Sequence, residues 1–290
     1  MTERFSHVLN VIADDAPMLA EKLRGLGDAA WLSRDRAFDI AFSGDPGETL
    51  QTARKISGHD KADVNVVPAA HRRKKLLVAD MDSTIISCEC LDELADMAGL
   101  KPQIAAITER AMRGEIEFER ALRERVGLLR GLAVSALQQT YAERVRLDPG
   151  AKALVATMKA HGARTLLVSG GFTYFTQRVA ALANFDDHQA NVLLDDGTAL
   201  KGAIREPILG REGKLAALEK EARKLRIEMA DTLAVGDGAN DLAMIRRAGL
   251  GVAYHAKPVV AEAADVAIAH GDLRALLYLQ GYRDDEIVEA

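Results

Sequence analysis

Two rhythms of apolar residues divide the chain. Up to about residue 74 the apolar positions come in short strand-like runs broken by helical spacing. "HVLNVIA" predicts a strand. "APMLAEKLRGLG" has helical spacing and stops at glycine. "AAWLSRDRAFDIAFSG" alternates in patches that suit one or two strands, "PGETLQTARKIS" is helical again, and "ADVNVVP" closes with a strand. The resulting order, βαββαβ over residues 1–74, is that of a ferredoxin-like α+β unit. The basic cluster "HRRKK" (His71 to Lys75) then predicts a solvated linker.

From Lys75 the pattern changes. "KLLVADMD", "TLLVSGGF", "DTLAVGDGAND" and "DVAIA" are short apolar runs of the kind that form strands buried on both faces. Helical segments separate them: "GAKALVATMKAHG", "YFTQRVAALAN", "GKLAALEKEARKL" and "NDLAMIRRAG". Strands alternating with helices predict a Rossmann-like parallel sheet with helices on both faces, in which ligands sit at the carboxyl ends of the strands. Those ends carry Asp80 and Asp82, then Ser169, Gly170 and Gly171, then Asp237. Residues from about 88 to 148 break the alternation. Four amphipathic segments follow one another there without a strand, predicting a helical cap inserted over the strand ends.

Composition narrows the class. With 290 residues, 48% hydrophobic and 28% charged, the chain suits two globular domains or one elaborated one. A net charge of −5 gives no reason to expect nucleic acid or an anionic membrane as partner. Cys88 and Cys90 are the only cysteines, too few for a disulfide framework or a structural zinc site, and a reducing cytoplasm fits them. The N-terminus lacks a secretory pattern, and no apolar run reaches the ~20 residues that span a bilayer.

Three acids at strand ends supply hard oxygen ligands, which suit Mg²⁺ rather than zinc. Two unit charges ~4 Å apart repel by about 4 kcal/mol at an effective dielectric of 20, so Asp80, Asp82 and Asp237 invite a cation. Lys214 with Ser169 and the amides of a glycine-rich turn could cradle an anion. Metal-holding acids beside anion-holding donors describe a phosphate site. It is not a P-loop, because "ILGREGKL" has Ile208 where the first glycine belongs, and no dinucleotide fingerprint follows a strand. Taken singly, each residue has a plainer explanation: Lys214 as a solvated helix charge, Arg125 among Arg120, Arg123 and Arg130 as part of a solvated face, Thr84 as a local hydrogen-bonding residue.

"DMDST" (Asp80 to Thr84), "LLVSGG" (Leu166 to Gly171), Lys214 and "GDGAND" (Gly236 to Asp241) resemble the four ordered motifs of the haloacid-dehalogenase-like (HAD) phosphatases, most closely the branch that hydrolyses phosphoserine. The resemblance runs from about residue 75 to 290 and implies Mg²⁺-dependent hydrolysis of O-phospho-L-serine. It implies Asp80 as nucleophile and Asp82 as general acid and base. Metal would be held by Asp80, the main-chain carbonyl of Asp82, and Asp237, with Asp241 behind them. Ser169, Gly170, Lys214 and Asn240 would hold phosphate. In the cap, Glu89 would face the substrate ammonium and Arg125 its carboxylate, with Met112 and Phe118 as an apolar wall. Another small phosphorylated metabolite is the alternative substrate. The N-terminal unit resembles the ACT-like regulatory domains and is expected to bind an amino acid such as serine or to form a homodimer contact.

Overall fold

The computed structural model describes residues 5–58, 61–112 and 115–289, the side chain of Met112 excepted. The N-terminal unit contains β1 (His7–Ala13), α1 (Ala16–Lys22), β2 (Ala30–Ser33), β3 (Ala37–Phe42), α2 (Pro46–Ser57) and β4 (Ala62–Pro68). These strands form a four-stranded antiparallel sheet in the order β2-β3-β1-β4. Both helices start at an aspartate with a proline in the first turn, Pro17 in α1 and Pro46 in α2: Asp15 accepts from Met18 N–H and Asp45 from Glu48 N–H. Side chains along β1 alternate. Leu9, Val11 and Ala13 pack under α1 and α2 with Leu19, Leu23, Phe38 and Ala53, whereas Val8 and Ile12 join the core of the rest of the protein.

That rest begins with β5 (Leu76–Ala79), followed by α3 (Cys90–Met97), α4 (Lys101–Met112), α5 (Phe118–Leu128), α6 (Ser135–Arg144) and α7 (Ala151–Ala160). Next come β6 (Arg164–Phe172), α8 (Thr173–Ala183), β7 (Asp187–Asn191), the hairpin β8 (Leu193–Asp195) and β9 (Leu200–Ile204), and α9 (Arg211–Leu225). The chain ends through β10 (Thr232–Gly236), α10 (Leu242–Arg247), β11 (Leu250–Tyr254), α11 (Pro258–Ala261), β12 (Val266–Ile268) and α12 (Ala275–Leu279). A six-stranded parallel sheet runs β12-β11-β10-β5-β6-β7. The strand order reverses direction between β5 and β10, which opens a crevice at their carboxyl ends. All four residues of β5 are fully buried, as a central strand covered on both faces requires.

Helices α3 to α6 form the predicted insertion, but they do not form it alone. The β8–β9 hairpin joins them: Gly131 N–H donates to Leu200 O, Leu200 N–H to Leu132 O, and Val134 N–H to Thr198 O. At the base of the insertion its entering and leaving segments pair, with Ser87 N–H on Arg146 O and Asp148 N–H on Ile85 O.

The basic junction is not the solvated linker its composition suggests. Arg72 forms a bidentate pair with Asp39 and also donates to Tyr278 O and Leu279 O. Arg73 stacks over the Tyr282 ring and pairs with Glu286. Lys74 is buried with its ammonium on Ala230 O, and His71 and Lys75 both pair with Asp231. Each of these side chains has a partner in the unit of the six-stranded sheet, and Arg72 also holds Asp39 of the N-terminal unit, so the junction fastens the two units rather than spacing them.

A buried polar stripe completes the joint. Asp39, Asn10 and Asn65 are register neighbours across β3, β1 and β4. Asn10 donates to Asp39 and to Tyr278 O. Asn65 donates to Ala267 O and accepts from Ala267 N–H, so its amide occupies the open edge of β12 as a neighbouring strand would. Two residues earlier, the buried Asp63 carboxylate accepts from the successive N–H groups of Ala269, His270 and Gly271 at 2.7–3.2 Å. Replacing Asp63 by alanine would take the carboxylate partner from three N–H groups at a partly buried joint. The expected loss is about 3 kcal/mol, measured by urea unfolding of the full chain; a loss under about 0.5 kcal/mol would show that the joint does not depend on Asp63.

Candidate active site

The crevice between β5 and β10 gathers most of the residues singled out in the sequence. Asp80 follows β5 directly and is held there by its N–H on Val235 O of β10. Lys214 lies in the first turn of α9 and is completely buried. Its Nζ stands 2.6 Å from Asp80 Oδ1 and 2.6 Å from Asp241 Oδ1. Asp241 immediately precedes α10, and its Oδ2 accepts from Gly238 N–H. Gly236 permits this approach, since a Cβ there would fall 2.4 Å from the Asp241 carboxyl carbon. Asp237, half-buried after β10, accepts from Thr84 Oγ1 at 3.2 Å. Thr84 therefore bonds across the sheet, not locally as its sequence context suggests. Asn240 is half-buried in the same turn, with its side chain folded against Gly238.

One ligand oxygen from each of Asp80, Asp237 and Asp241 can lie within 4.8 Å of the others. Burial, then the neighbouring Asp241 carboxylate, pushes the Asp80 carboxyl well above the ordinary range despite Lys214. The same two causes push Asp237 up to about 6. Burial works against the Lys214 ammonium, but the two carboxylates outweigh it and hold the group protonated. One lysine thus faces three acids, and the remaining negative charge with an all-oxygen donor set fits a hard divalent cation. Asp241 already has a donor on each oxygen, so Asp80 and Asp237 have more capacity to bind such an ion directly.

Asp82 points elsewhere. Its Oδ1 accepts from Cys90 N–H at the start of α3 (2.8 Å) and its Oδ2 from the Ser169 hydroxyl (3.0 Å). Burial raises its carboxyl, and these two partners restrain the rise. Ser169 Oγ also accepts from Gly171 N–H. Gly170 lies under the ring of Phe118, and so does Gly210; a Cβ on either would come within 3.3 Å of that ring. Phe118, the first residue of α5, thereby seats the cap on both loops of the crevice.

The two cap charges are placed differently. Glu89 precedes α3 and accepts from Ser83 Oγ at 2.8 Å. It opens onto solvent but is crowded by cap and core, and this crowding, with the Asp82 charge, pushes its carboxyl up to about 7. Of the four arginines in this part of the cap, Arg120, Arg123 and Arg130 are exposed, while Arg125 is drawn inward. Its Nε is buried without a partner and its Nη1 reaches Thr108 at 3.4 Å. Burial pushes its guanidinium down, and the charges of Asp92 and Glu89 oppose that. The solvated-face explanation therefore fails for Arg125. The Met112 side chain lies outside the described residues.

A sequence model of the haloacid dehalogenase-like hydrolases matches residues 77–246, more than half of the 290. The chain belongs to this family. It is 48% identical over 210 residues to a phosphoserine phosphatase of Polaromonas sp., covering 71% of this chain and 89% of that one. A probable phosphoserine phosphatase of Schizosaccharomyces pombe is 37% identical over 285 residues, covering 95% of each chain. A crystal structure of a HAD-family hydrolase from Salmonella enterica serovar Typhi superposes with a TM-score of 0.85 at 31% identity, covering 94% of this chain and 97% of that one. Among the described residues, no helix of this HAD hydrolase is long and apolar enough to cross a membrane.

The acid cluster sets a pH signature for cation binding. Asp237 takes up a proton below about 6 in the metal-free state, so cation affinity falls as pH falls through that value. Added Mg²⁺ should raise the melting temperature at about pH 7.5 and do so much less at about pH 5. Asp237→Asn should lose the effect at both. An equal shift at both pH values would contradict this assignment.

Proposed function

We propose that this HAD hydrolase is a Mg²⁺-dependent phosphatase that converts O-phospho-L-serine and water to L-serine and phosphate, the last step of serine synthesis. One observation carries the reading: a buried Asp80–Lys214–Asp241 cluster lies in the sheet crevice, beneath a cap that draws Arg125 inward with its Nε unpaired and sets Glu89 at the solvent-facing mouth. The relatives' names support the substrate. The catalytic body is placed at 75–290, with the cap over about 88–148.

In the proposed reaction a carboxylate oxygen of Asp80 attacks phosphorus in line, and the serine oxygen leaves with the proton of Asp82. A water then attacks the aspartyl phosphate, giving a proton back to Asp82 and freeing phosphate. Met81 N–H and Lys214 both contact Asp80 Oδ1, which fixes the direction of its other oxygen. Ser169, Gly170, Lys214 and Asn240 hold phosphoryl oxygens as charge redistributes. Asp80, Asp237 and the Asp82 carbonyl would hold Mg²⁺, with Asp241 supporting its waters. When bound, the ion supplies positive charge to a phosphoryl oxygen. Glu89 pairs with the substrate ammonium and Arg125 with its carboxylate. Phe118, and Met112 by analogy with the family, exclude water.

Phosphate release from a panel of phosphomonoesters tests the reading. Phosphoserine should be turned over best and only with Mg²⁺; equal or faster turnover of sugar phosphates would move the substrate to another small metabolite. Asp80→Asn should fold and lose roughly ten-thousand-fold or more in kcat.

Glu89 gives a separate test. Only its ionised form pairs with ammonium, so kcat/KM for phosphoserine should fall as pH drops below about 7. Glu89→Gln should reduce kcat/KM roughly 10- to 100-fold for phosphoserine and little for p-nitrophenyl phosphate, which has no ammonium. Equal losses on both substrates would remove Glu89 from ammonium recognition.

A further inference from the structure

Asn191 ends β7 and is 3% exposed, yet none of the chemistry above uses it. Its amide contacts two loops. Nδ2 donates to Gly170 O at 2.8 Å and to Leu209 O at 3.1 Å, and Oδ1 accepts from Leu209 N–H at 2.7 Å. The parallel pairing of β6 with β7 shifts register between Val168 and Phe172. The side chain of Asn191 supplies a partner to the Gly170 carbonyl within that irregular stretch.

The consequence extends to the reacting groups. The Gly170–Gly171 peptide is held at both ends, its carbonyl by Asn191 and its N–H by Ser169 Oγ at 2.8 Å. That hydroxyl donates to Asp82 Oδ2 at 3.0 Å. A continuous run of hydrogen bonds therefore leads from Asn191 through one peptide plane and one hydroxyl to Asp82. The second arm fixes Leu209, directly before Gly210, whose carbonyl accepts the Lys214 N–H as α9 begins. Asn191 thus holds the anion loop and the start of the lysine helix in one geometry, and the Phe118 ring rests against Gly170 and Gly210, which adjoin both clamped points.

We propose that Asn191 is a positioning residue of the phosphoryl-transfer site, acting on Asp82 through the Gly170–Gly171 peptide and Ser169. This rests on the phosphatase reading, with Ser169 and Asp82 in the roles given above. An amide so placed works mainly in the transition state, where a small misplacement of donors is costly, so its loss should lower kcat rather than raise KM.

The test is a double-mutant cycle of Asn191→Ala and Ser169→Ala, with kcat and KM measured on p-nitrophenyl phosphate as well as phosphoserine, and folding checked by circular dichroism. Asn191→Ala should reduce kcat roughly 10- to 100-fold on both substrates with KM changed less than about threefold. The double variant should be no more than about threefold slower than the slower single variant, because both substitutions break one run of contacts. A kcat within about twofold of the unmodified enzyme would overturn the proposal, and so would losses that multiply in the double variant. Should Asn191→Ala not fold, Asn191→Asp serves in its place under the same criteria, since it keeps Oδ1 for Leu209 N–H and loses both Nδ2 donations. The substrate reading fails separately, if the unmodified enzyme turns over p-nitrophenyl phosphate and not phosphoserine; the variant ratios on p-nitrophenyl phosphate still decide the role of Asn191.

Discussion

The Lys214 ammonium, fully buried between the carboxylates of Asp80 and Asp241, is the constraint on which the site depends. An ammonium withdrawn from water is tolerated only with close anionic partners, and two carboxylates withdrawn together need a cation between them. The three groups come from the end of β5, the first turn of α9 and the residue before α10. They meet only if β5 and β10 are neighbours and Gly236 lets Asp241 cross the strand end. The parallel sheet is thus the condition for the charge cluster, and the cluster's leftover negative charge in turn favours a metal ion.

Much of this was legible in the chain because buried parallel strands leave a plain signal. β5, β6 and β10 are apolar runs ending in acids or glycines, β12 is a short apolar run, and the cap helices α3 and α5 have clear amphipathic spacing. β7 left no such signal: "DHQAN" is polar because it is an edge strand, half-buried for most of its length. The β8–β9 hairpin was hidden for a different reason. Its strands are largely apolar, but at three and five residues they are too short for an alternation to show, and they pair outside the main sheet. β11 is apolar, but it follows α10 after only two residues and merges with that helix's pattern.

The junction shows a different limit. "HRRKK" has the composition of an exposed linker, and nothing local says otherwise. Its partners, Asp39, Asp231, Glu286 and the carbonyls around Tyr278, are dispersed through the chain. Pairing of this kind depends on the tertiary fold, which composition does not encode. The same holds for Asn191 and Thr84. A single amide or hydroxyl carries no periodicity, and its importance comes from which loops the fold brings beside it. The motif residues were legible because type and spacing coincide in them; the residues that orient them were not.

Asp80 and Asp82 are two positions apart and chemically identical, so any difference in their work must come from their surroundings. Asp80 faces an ammonium and a second carboxylate, and its Oδ1 is occupied by Lys214 and by Met81 N–H. Asp82 faces neutral donors only, a helix-starting N–H and a hydroxyl, and both are groups that the cap and the anion loop bring to it. A nucleophile must stay ionised and hold one oxygen free; burial and the Asp241 carboxylate oppose ionisation at Asp80, and the fixed Lys214 ammonium, joined by a cation held at Asp80 and Asp237, would offset them. A proton carrier must hold and release its proton within one turnover, which burial without a direct cationic partner favours. On the proposed mechanism, this contrast assigns the two roles. It also ties the proton carrier to the cap, because Cys90 N–H reaches Asp82 only while α3 stands where it does. A cap displaced from the crevice would then remove both the apolar cover of Phe118 and one of the two donors that restrain Asp82, so substrate closure and proton readiness would be set by the same movement.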